Sequence, residues 1–101
     1  MMNLQAAICL VKSEVTEAQW HYPAFHSEHE GFAVFKEEAD ELWDAVKLKQ
    51  SNPDRTVAIR REAAHAAAMA IRILIDCCEE DTTLDGVTHA AFPAGGENSP
   101  E

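Results

Sequence analysis

Two short acidic motifs carry the side chains best suited to chemistry in this chain. Residues 37–42 read EEADEL, and residues 62–65, about twenty positions later, read EAAH. Both lie in strongly helical sequence, where carboxylates three positions apart project from neighbouring turns of one face. Two such helices packed together bring several carboxylate oxygens to one divalent cation, since magnesium and calcium prefer oxygen ligands. The motifs therefore predict a metal site between helices.

Length and charge narrow the class of protein. The chain has 101 residues, enough for one domain, and a domain this short buries a limited core by itself, so we expect a symmetric oligomer. Its 18 acidic residues outnumber 8 basic ones and give a formal net charge of -10. Binding of nucleic-acid phosphates requires clustered Lys and Arg side chains, so we expect no direct nucleic-acid binding. A metal ion or a cationic partner fits this charge better.

The cysteines and the apolar runs favour a cytoplasmic protein. Cys9, Cys77 and Cys78 are odd in number and lack Cys-x-x-Cys spacing, so they predict neither a disulfide framework nor a zinc site. Reduced thiols are the default in the cytoplasm. No apolar run approaches the roughly 20 residues of a membrane span, and the first residues lack the basic-then-apolar layout of a secretion signal. We therefore expect no membrane partner.

Hydrophobic periodicity predicts an all-α domain in residues 1–80, a helical bundle of three main helices that oligomerisation completes. Apolar side chains recur at spacings of three and four, which is typical of amphipathic helices. The predicted helices cover residues 4–20, 27–49 and 53–78. Residues 81–101 mix Gly, Pro, Ser, Thr and Asp without a period and predict a mostly disordered acidic tail.

Capping signals place the starts of the second and third helices. Ser27 and Glu30 form a Ser-x-x-Glu capping box, in which each side chain satisfies a backbone N–H at the helix start. Asn52 is placed to cap helix three, with Pro53 at its first helical position. Pro23 interrupts the helical pattern before Ser27, because proline pushes the preceding residue out of the helical region.

Helix two places Glu38 near its apolar face. A helical wheel separates an apolar seam from a solvated face that holds Glu37, Asp40 and Asp44. Glu38 falls on the flank of the seam, where an unpaired carboxylate is costly, and Glu41 falls between that flank and the solvated face. A bound cation offsets the cost, as does a basic residue of another helix or access to water. The predicted seam consists of Phe32, Phe35, Ala39, Leu42 and Val46.

Helix three is apolar around most of its circumference, so neighbours should cover it on more than one side. Its polar residues fall on one narrow stripe, which either faces water or lines a cleft that holds a charged ligand. Arg72, two turns beyond His65, is placed to reach a phosphate in such a cleft. The stripe consists of Glu62, His65, Met69, Arg72 and Asp76.

In these motifs the chain resembles the all-α nucleoside triphosphate pyrophosphohydrolases of the MazG-like branch, which includes small forms from phages and mobile elements. The family motif is Glu-Glu-x-x-Glu, followed at a variable distance by Glu-x-x-Asp. Glu37, Glu38 and Glu41 match the first half, and Glu62 begins the second. His65 stands where the family places aspartate.

The resemblance covers about residues 27–76 and implies an enzyme, a hydrolase acting on acid anhydrides. Such an enzyme cuts a nucleoside triphosphate between its α- and β-phosphates and releases a monophosphate and pyrophosphate. Magnesium would supply most of the catalysis, with Glu38, Glu41 and Glu62 as ligands and His65 at the fourth ligand position. The expected assembly is a homodimer or a homotetramer.

Further roles follow from the resemblance. Glu37 is the candidate to orient the attacking water, although its wheel position is also that of a solvated residue. The substrate base needs a flat apolar surface, which Trp20, Tyr22 or Phe25 offers, and Arg72 would meet a phosphate. The same aromatic side chains also suit packing at the end of a bundle.

His65 leaves the metal and the activity open. Magnesium prefers oxygen ligands, whereas imidazole suits manganese, cobalt, nickel or zinc. The replacement is compatible with an altered metal preference, with lowered activity, or with nucleotide binding without turnover, and His65 can also make only a hydrogen bond between helices. Two alternative functions therefore remain: a catalytically weak nucleotide-binding module of the same fold, and an acidic helical interaction protein with a basic partner.

Overall fold

Three α-helices follow one another in residues 1–80, the part of the chain that this computed structural model describes. They are α1 (Leu4–His21), α2 (Glu28–Val46) and α3 (Arg55–Cys77), and no strand accompanies them in those residues. The all-α class and the three main helices are therefore confirmed. None of the helices described combines the length and the hydrophobicity that crossing a lipid bilayer requires. The predicted disordered tail, residues 81–101, lies outside the described residues.

Side-chain caps begin α1 and α2. The Asn3 side chain accepts a hydrogen bond from the backbone N–H of Ala6 at 2.8 Å, and the Ser27 hydroxyl accepts one from the N–H of Glu30 at 3.1 Å. The Glu30 carboxylate in turn accepts a hydrogen bond from the N–H of His26 at 2.6 Å, one residue before the cap. The predicted capping box thus forms, with its return hydrogen bond shifted by one residue.

Arg55 closes the turn between α2 and α3. Its guanidinium donates hydrogen bonds to the carbonyl oxygens of Val46 and Leu48, each at 3.0 Å. Carbonyl groups at a helix end lack intrahelical partners, so these bonds fix the turn. The Asn52 side chain accepts a hydrogen bond from the N–H of Asp54 at 2.8 Å. Helix α3 begins at Arg55, two residues later than the sequence predicted, because Asn52 shapes the turn and does not cap the helix.

Helix α3 is the central element of residues 1–80, since α1 and α2 each pack against it and make no close backbone contact with each other there. Small side chains allow the close approach, with Ala64 and Ala68 buried on α3. On α2 the crossing lies at Gly31, where an added Cβ would stand 2.9 Å from Cγ1 of Ile73 and 3.0 Å from the Phe25 ring. The tight crossing sets which face of α2 points inward.

The inward face of α2 differs from the predicted seam. Gly31, Glu38 and Ala45 follow one line at seven-residue spacing, with Gly31 and Ala45 buried and Glu38 half-buried between them. Of the five residues of the predicted seam, Phe32 is 57% exposed, and the other four are half-buried. The line of Gly31, Glu38 and Ala45 is rotated by roughly 80° from the centre of the predicted seam, because close crossing needs the smaller side chains. This rotation turns Glu38 towards α3.

Apolar surface remains uncovered in the described chain. No large side chain of residues 1–80 is fully buried. Two open, apolar grooves lie between α1 and α3 and share Ala7, Val11 and Ala67. The core of the three helices alone is therefore incomplete. The large apolar side chains that stay exposed include Ile8, Trp43, Val57, Ile71, Leu74 and Ile75.

Candidate metal centre

Three side chains with potential metal ligands converge where α2 crosses α3. Glu62 and His65 lie one turn apart on α3, and the inward rotation of α2 brings Glu38 against them. Nδ1 of His65 lies 3.5 Å from Oε1 of Glu38 and 3.5 Å from Oε1 of Glu62. One ligand atom from each residue lies within 4.8 Å of the other two. Ligands on opposite sides of one cation lie about 5 Å apart at most, so this spacing suits one divalent cation.

Two carboxylate oxygens of this cluster are buried and have no hydrogen-bond partner within residues 1–80, namely Oε1 of Glu38 and Oε1 of Glu62. The two side chains are 22% and 14% exposed. Glu62 uses its other oxygen to accept a hydrogen bond from Nε of Arg61 at 3.1 Å. Desolvated carboxylate oxygens are costly unless they are hydrogen-bonded, paired or bound to metal. Because both unpartnered oxygens face His65, the donor set fits a cation.

The surroundings of Glu38 disfavour the ionised form of its carboxyl group. Burial raises the pKa of the Glu38 carboxyl, and the charge of Glu41 raises that pKa further. His65 acts in the opposite direction, and Glu62 adds to the increase. The net effect on the pKa of Glu38 is upward, so ionising this carboxyl costs free energy in the folded chain. A bound divalent cation reverses this cost, because it stabilises ionised ligands.

The other two glutamates of the first motif lie outside the three-residue cluster. Glu41 is exposed one turn beyond Glu38, and its carboxylate is close enough to raise the pKa of Glu38, so it borders the cluster. Glu37 is exposed and points about 100° away from Glu38 around the helix. Of the four predicted metal ligands, the structure brings Glu38, Glu62 and His65 together and keeps Glu41 at the edge.

A further carboxylate, that of Glu14 on α1, reaches the cluster from its other side. Oε1 of Glu14 lies 3.3 Å from Nε2 of His65, so the imidazole stands between Glu14 at one nitrogen and Glu38 and Glu62 at the other. Glu14 is not among the residues predicted from the sequence, since the family motif does not include helix one. A signal was present, because Glu14 borders the apolar stripe of α1 one turn before the buried Ala18.

Arg72 and Phe25 pack together away from the carboxylates. Arg72 is 3% exposed, and its guanidinium donates a hydrogen bond to the carbonyl oxygen of Pro23 at 2.8 Å. The same guanidinium covers the Phe25 ring at 4.3 Å from the ring centroid. Asp76 accepts a hydrogen bond from the N–H of Phe25 at 3.0 Å. These contacts fix the connector between α1 and α2 against α3, so both predicted substrate-binding side chains have a packing role here.

A cleft of about 250 Å³ opens beside the cluster. Glu14, Glu38 and His65 line it, and no Lys or Arg of the described chain does. Tyr22 is the aromatic residue of the connector that lines the cleft. Trp20, the other predicted base contact, is 83% exposed and lies outside the lining. The cleft is therefore acidic, with one aromatic ring beside it.

Comparison with protein-family models, with curated proteins and with solved structures gives no match to this chain. The resemblance to MazG-like pyrophosphohydrolases therefore stays a prediction from the motifs.

We expect Glu38→Gln to stabilise the metal-free protein at neutral pH. Because the pKa of Glu38 is raised by folding, its contribution to stability is present at acidic pH and is lost as pH rises through that pKa. Glutamine keeps the shape of the side chain and does not ionise. Urea unfolding in EDTA should show similar stabilities near pH 4 and a growing advantage of the variant towards pH 7.

The matched control is Glu37→Gln, which removes the same charge from an exposed position on the same helix and should show no pH-dependent gain. With Mn²⁺ at a hundredfold excess over its Kd, wild type should gain about 2.7 kcal/mol of stability, and Glu38→Gln should not. A Glu38→Gln protein that is less stable than wild type at pH 7 without metal would contradict the proposed repulsion between the negative charges of the cluster.

Proposed function

We propose that the chain is a metal-dependent nucleoside triphosphate pyrophosphohydrolase, which releases a nucleoside monophosphate and pyrophosphate. The observation that carries this proposal is the pair of buried, unpartnered carboxylate oxygens of Glu38 and Glu62 that face His65. Acidic oxygens held together against their mutual repulsion are the donor set of a divalent-metal site. The order of the two motifs along the chain, with Glu41 beside Glu38, supplies the reaction class.

In this proposal Glu38, Glu62 and His65 hold the cation, and Glu41 joins them from the edge of the cluster. Mg²⁺ is the expected ion, and Mn²⁺ or another transition metal is favoured by the imidazole. A bound divalent cation neutralises phosphate charge and activates water for attack. The chain's own contribution is to hold the ligands at fixed spacing and to keep water away from the inner carboxylate oxygens.

The substrate would enter the acidic cleft together with a cation. Without one, the phosphates of a nucleotide would be repelled by Glu14 and Glu38, since no Lys or Arg of the described residues lines the cleft. Tyr22 offers the aromatic surface for the base, in place of Phe25, which is occupied by Arg72. Orientation of the attacking water by Glu37 stays a prediction, because this side chain is exposed.

A second candidate is an acidic helical protein of the same fold without turnover. The place of His65 among Glu14, Glu38 and Glu62 favours it, because a protonated imidazole would neutralise part of their charge without a metal. This candidate has two versions, which calorimetry with Mn²⁺ and a non-hydrolysable nucleotide distinguishes. Binding without turnover would indicate a nucleotide-binding module, and no binding of either ligand would indicate an interaction protein.

The proposal includes assembly into a homodimer or a homotetramer. Its support is the apolar surface along α1 and α3, where Ile8, Ile71 and Ile75 are exposed and the grooves between the helices are open. Contiguous apolar surface of this kind is rare on monomeric proteins. A second copy of the chain is the occupant proposed, since three helices with no fully buried large side chain in residues 1–80 need more burial for a stable core.

A cytoplasmic location also belongs to the proposal. Cys9, Cys77 and Cys78 are free thiols, the state that a reducing compartment maintains.

Glu38→Gln, Glu41→Gln and Glu62→Gln should each lower pyrophosphate release by at least about 10- to 100-fold, the loss that even outer partners of metal ligands cause. The measurement is pyrophosphate release across standard and modified nucleoside triphosphates with Mg²⁺, Mn²⁺ and Co²⁺. Each variant is checked for helical content and thermal unfolding, so that loss of fold is not read as loss of catalysis.

Asp40→Asn and Asp44→Asn are the controls on the same helix. Their exposed carboxylates pair with Lys36 at 3.1 Å and Lys47 at 3.4 Å, so these substitutions remove the same charge without touching the cluster. Exposed pairs of this kind contribute little to stability. Both controls should keep their activity, and equal losses in the two groups of folded variants would rule out the proposed site.

His65→Asp should shift the metal preference towards Mg²⁺. An aspartate restores an all-oxygen ligand set, which magnesium prefers, whereas the imidazole favours Mn²⁺ and Co²⁺. Calorimetry and turnover should show a higher Mg²⁺ to Mn²⁺ ratio for His65→Asp than for wild type, and weaker binding of both ions by His65→Ala. The same ranking and affinity in all three proteins would show that His65 is not a ligand.

Light scattering should give a mass of two or four times the 11.2 kDa chain. Ile75→Asp, which places a charge in an α1–α3 groove, should shift the mass towards the monomer. Val57→Asp is the control, because Val57 is similarly exposed on α3 and lies outside both grooves. A stable species of one chain mass at micromolar wild-type protein would defeat the proposed assembly.

A further inference from the structure

We propose that Glu14 is a positioning residue for the metal centre, whose carboxylate holds the His65 imidazole so that Nδ1 faces the cation. The inference rests on the metal site of the proposed function. It concerns helix α1, which contributes no residue to the two motifs. Glu14 acts through His65 and does not itself bind the metal or the substrate.

The two ring nitrogens of His65 face different partners. Nε2 lies 3.3 Å from Oε1 of Glu14, while Nδ1 lies 3.5 Å from each of the inner oxygens of Glu38 and Glu62. A neutral imidazole has one nitrogen that donates a hydrogen bond and one that carries a lone pair. With a cation at Nδ1, where the two carboxylates converge, the proton of the neutral ring must be on Nε2, which faces Oε1 of Glu14 at 3.3 Å. Glu14 would thus stabilise the tautomer that a metal ligand needs.

A carboxylate behind a ligating histidine has a known physical effect. It fixes the ring orientation, sets the tautomer and raises the basicity of the ligand nitrogen. An aspartate at position 65 would need none of this, because a carboxylate has no tautomer to select. The presence of a carboxylate on a third helix, at the far nitrogen of the one histidine in the motifs, therefore fits a site adapted to an imidazole ligand.

Glu17 supplies the internal comparison. It lies almost one turn beyond Glu14 on α1 and lines the same cleft, but its carboxylate is 2.9 Å from Nε2 of His21. It carries the same charge near the same site and does not hold His65. A general electrostatic attraction of the cleft for cations would involve both glutamates, whereas positioning of the imidazole involves Glu14 alone.

The experiment is calorimetry of Mn²⁺ binding, without nucleotide, to the full-length chain and to Glu14→Gln and Glu17→Gln, each with His65 and with His65→Asp. With His65 present, Glu14→Gln should weaken Mn²⁺ binding by about 10-fold, the lower end of the losses seen for partners of ligating histidines. Glu17→Gln should change the affinity by less than about 2-fold, the usual limit for sites that do not interact. With His65→Asp present, Glu14→Gln should also stay within about 2-fold, because no ring remains to be held.

Four other results for Mn²⁺ binding would overturn the inference. Equal losses for Glu14→Gln and Glu17→Gln would assign the effect to the charge of the cleft. A loss that persists with His65→Asp would make Glu14 a direct ligand, and a Glu14→Gln variant of reduced thermal stability with unchanged Mn²⁺ affinity would leave only a structural ion pair. Absence of Mn²⁺ binding by wild type would remove the metal site as well. Mn²⁺ binding that Glu14→Gln weakens only when His65 is present, without any release of pyrophosphate, would reject the proposed hydrolase and leave the role of Glu14 standing.

Discussion

Two carboxylates, those of Glu38 and Glu62, are partly buried where α2 crosses α3. Burial of a carboxylate costs free energy, and the close packing of the two helices imposes that cost. Gly31 and Ala45 let the helix backbones approach, which brings the carboxylates close to each other and to α3. Apolar side chains of similar volume at such a crossing are often neutral or stabilising relative to buried charges. A chain that keeps glutamates there gives up stability, and in the proposed metal centre a bound divalent cation would offset that cost.

Arg72 shows how the same chain treats a buried charge whose role is structural. Its guanidinium has the Pro23 carbonyl oxygen and the face of Phe25 as partners, and the Asp76 carboxylate lies 3.9 Å away. Only its Nε lacks a hydrogen bond within residues 1–80. The inner oxygens of Glu38 and Glu62 accept no hydrogen bond within residues 1–80, and each lies 3.5 Å from Nδ1 of His65. This contrast separates a charge that holds the connector in place from carboxylates whose inner oxygens the proposed cation would bind, although all three groups are mostly buried.

Features that depend on one helix alone could be predicted from the sequence. Periodicity and caps predicted three helices, and the Glu-x-x-His spacing put Glu62 and His65 on one face, because both are set by helix geometry alone. The inward face of α2 and the role of Arg72 depend on how closely two helices cross, which the residue pattern of one helix does not contain. A wheel assigns large apolar residues to the core, yet the tight crossing at Gly31 selected small ones and left Phe32 exposed. Glu14 was missed for the same reason, since its contact with His65 spans two helices.

The placement of α1 links the proposed assembly to the proposed metal centre. Within residues 1–80, α1 packs only on α3, with Val15 and Ala18 as its buried residues, so little burial holds it. The distance from Glu14 to His65 is therefore set by the least anchored of the three helices. A second copy of the chain that covers the grooves between α1 and α3 would fix α1 against α3 and with it the carboxylate behind the imidazole. In the proposed enzyme, apolar contacts on one side of α1 would thus fix the ligand geometry on its other side.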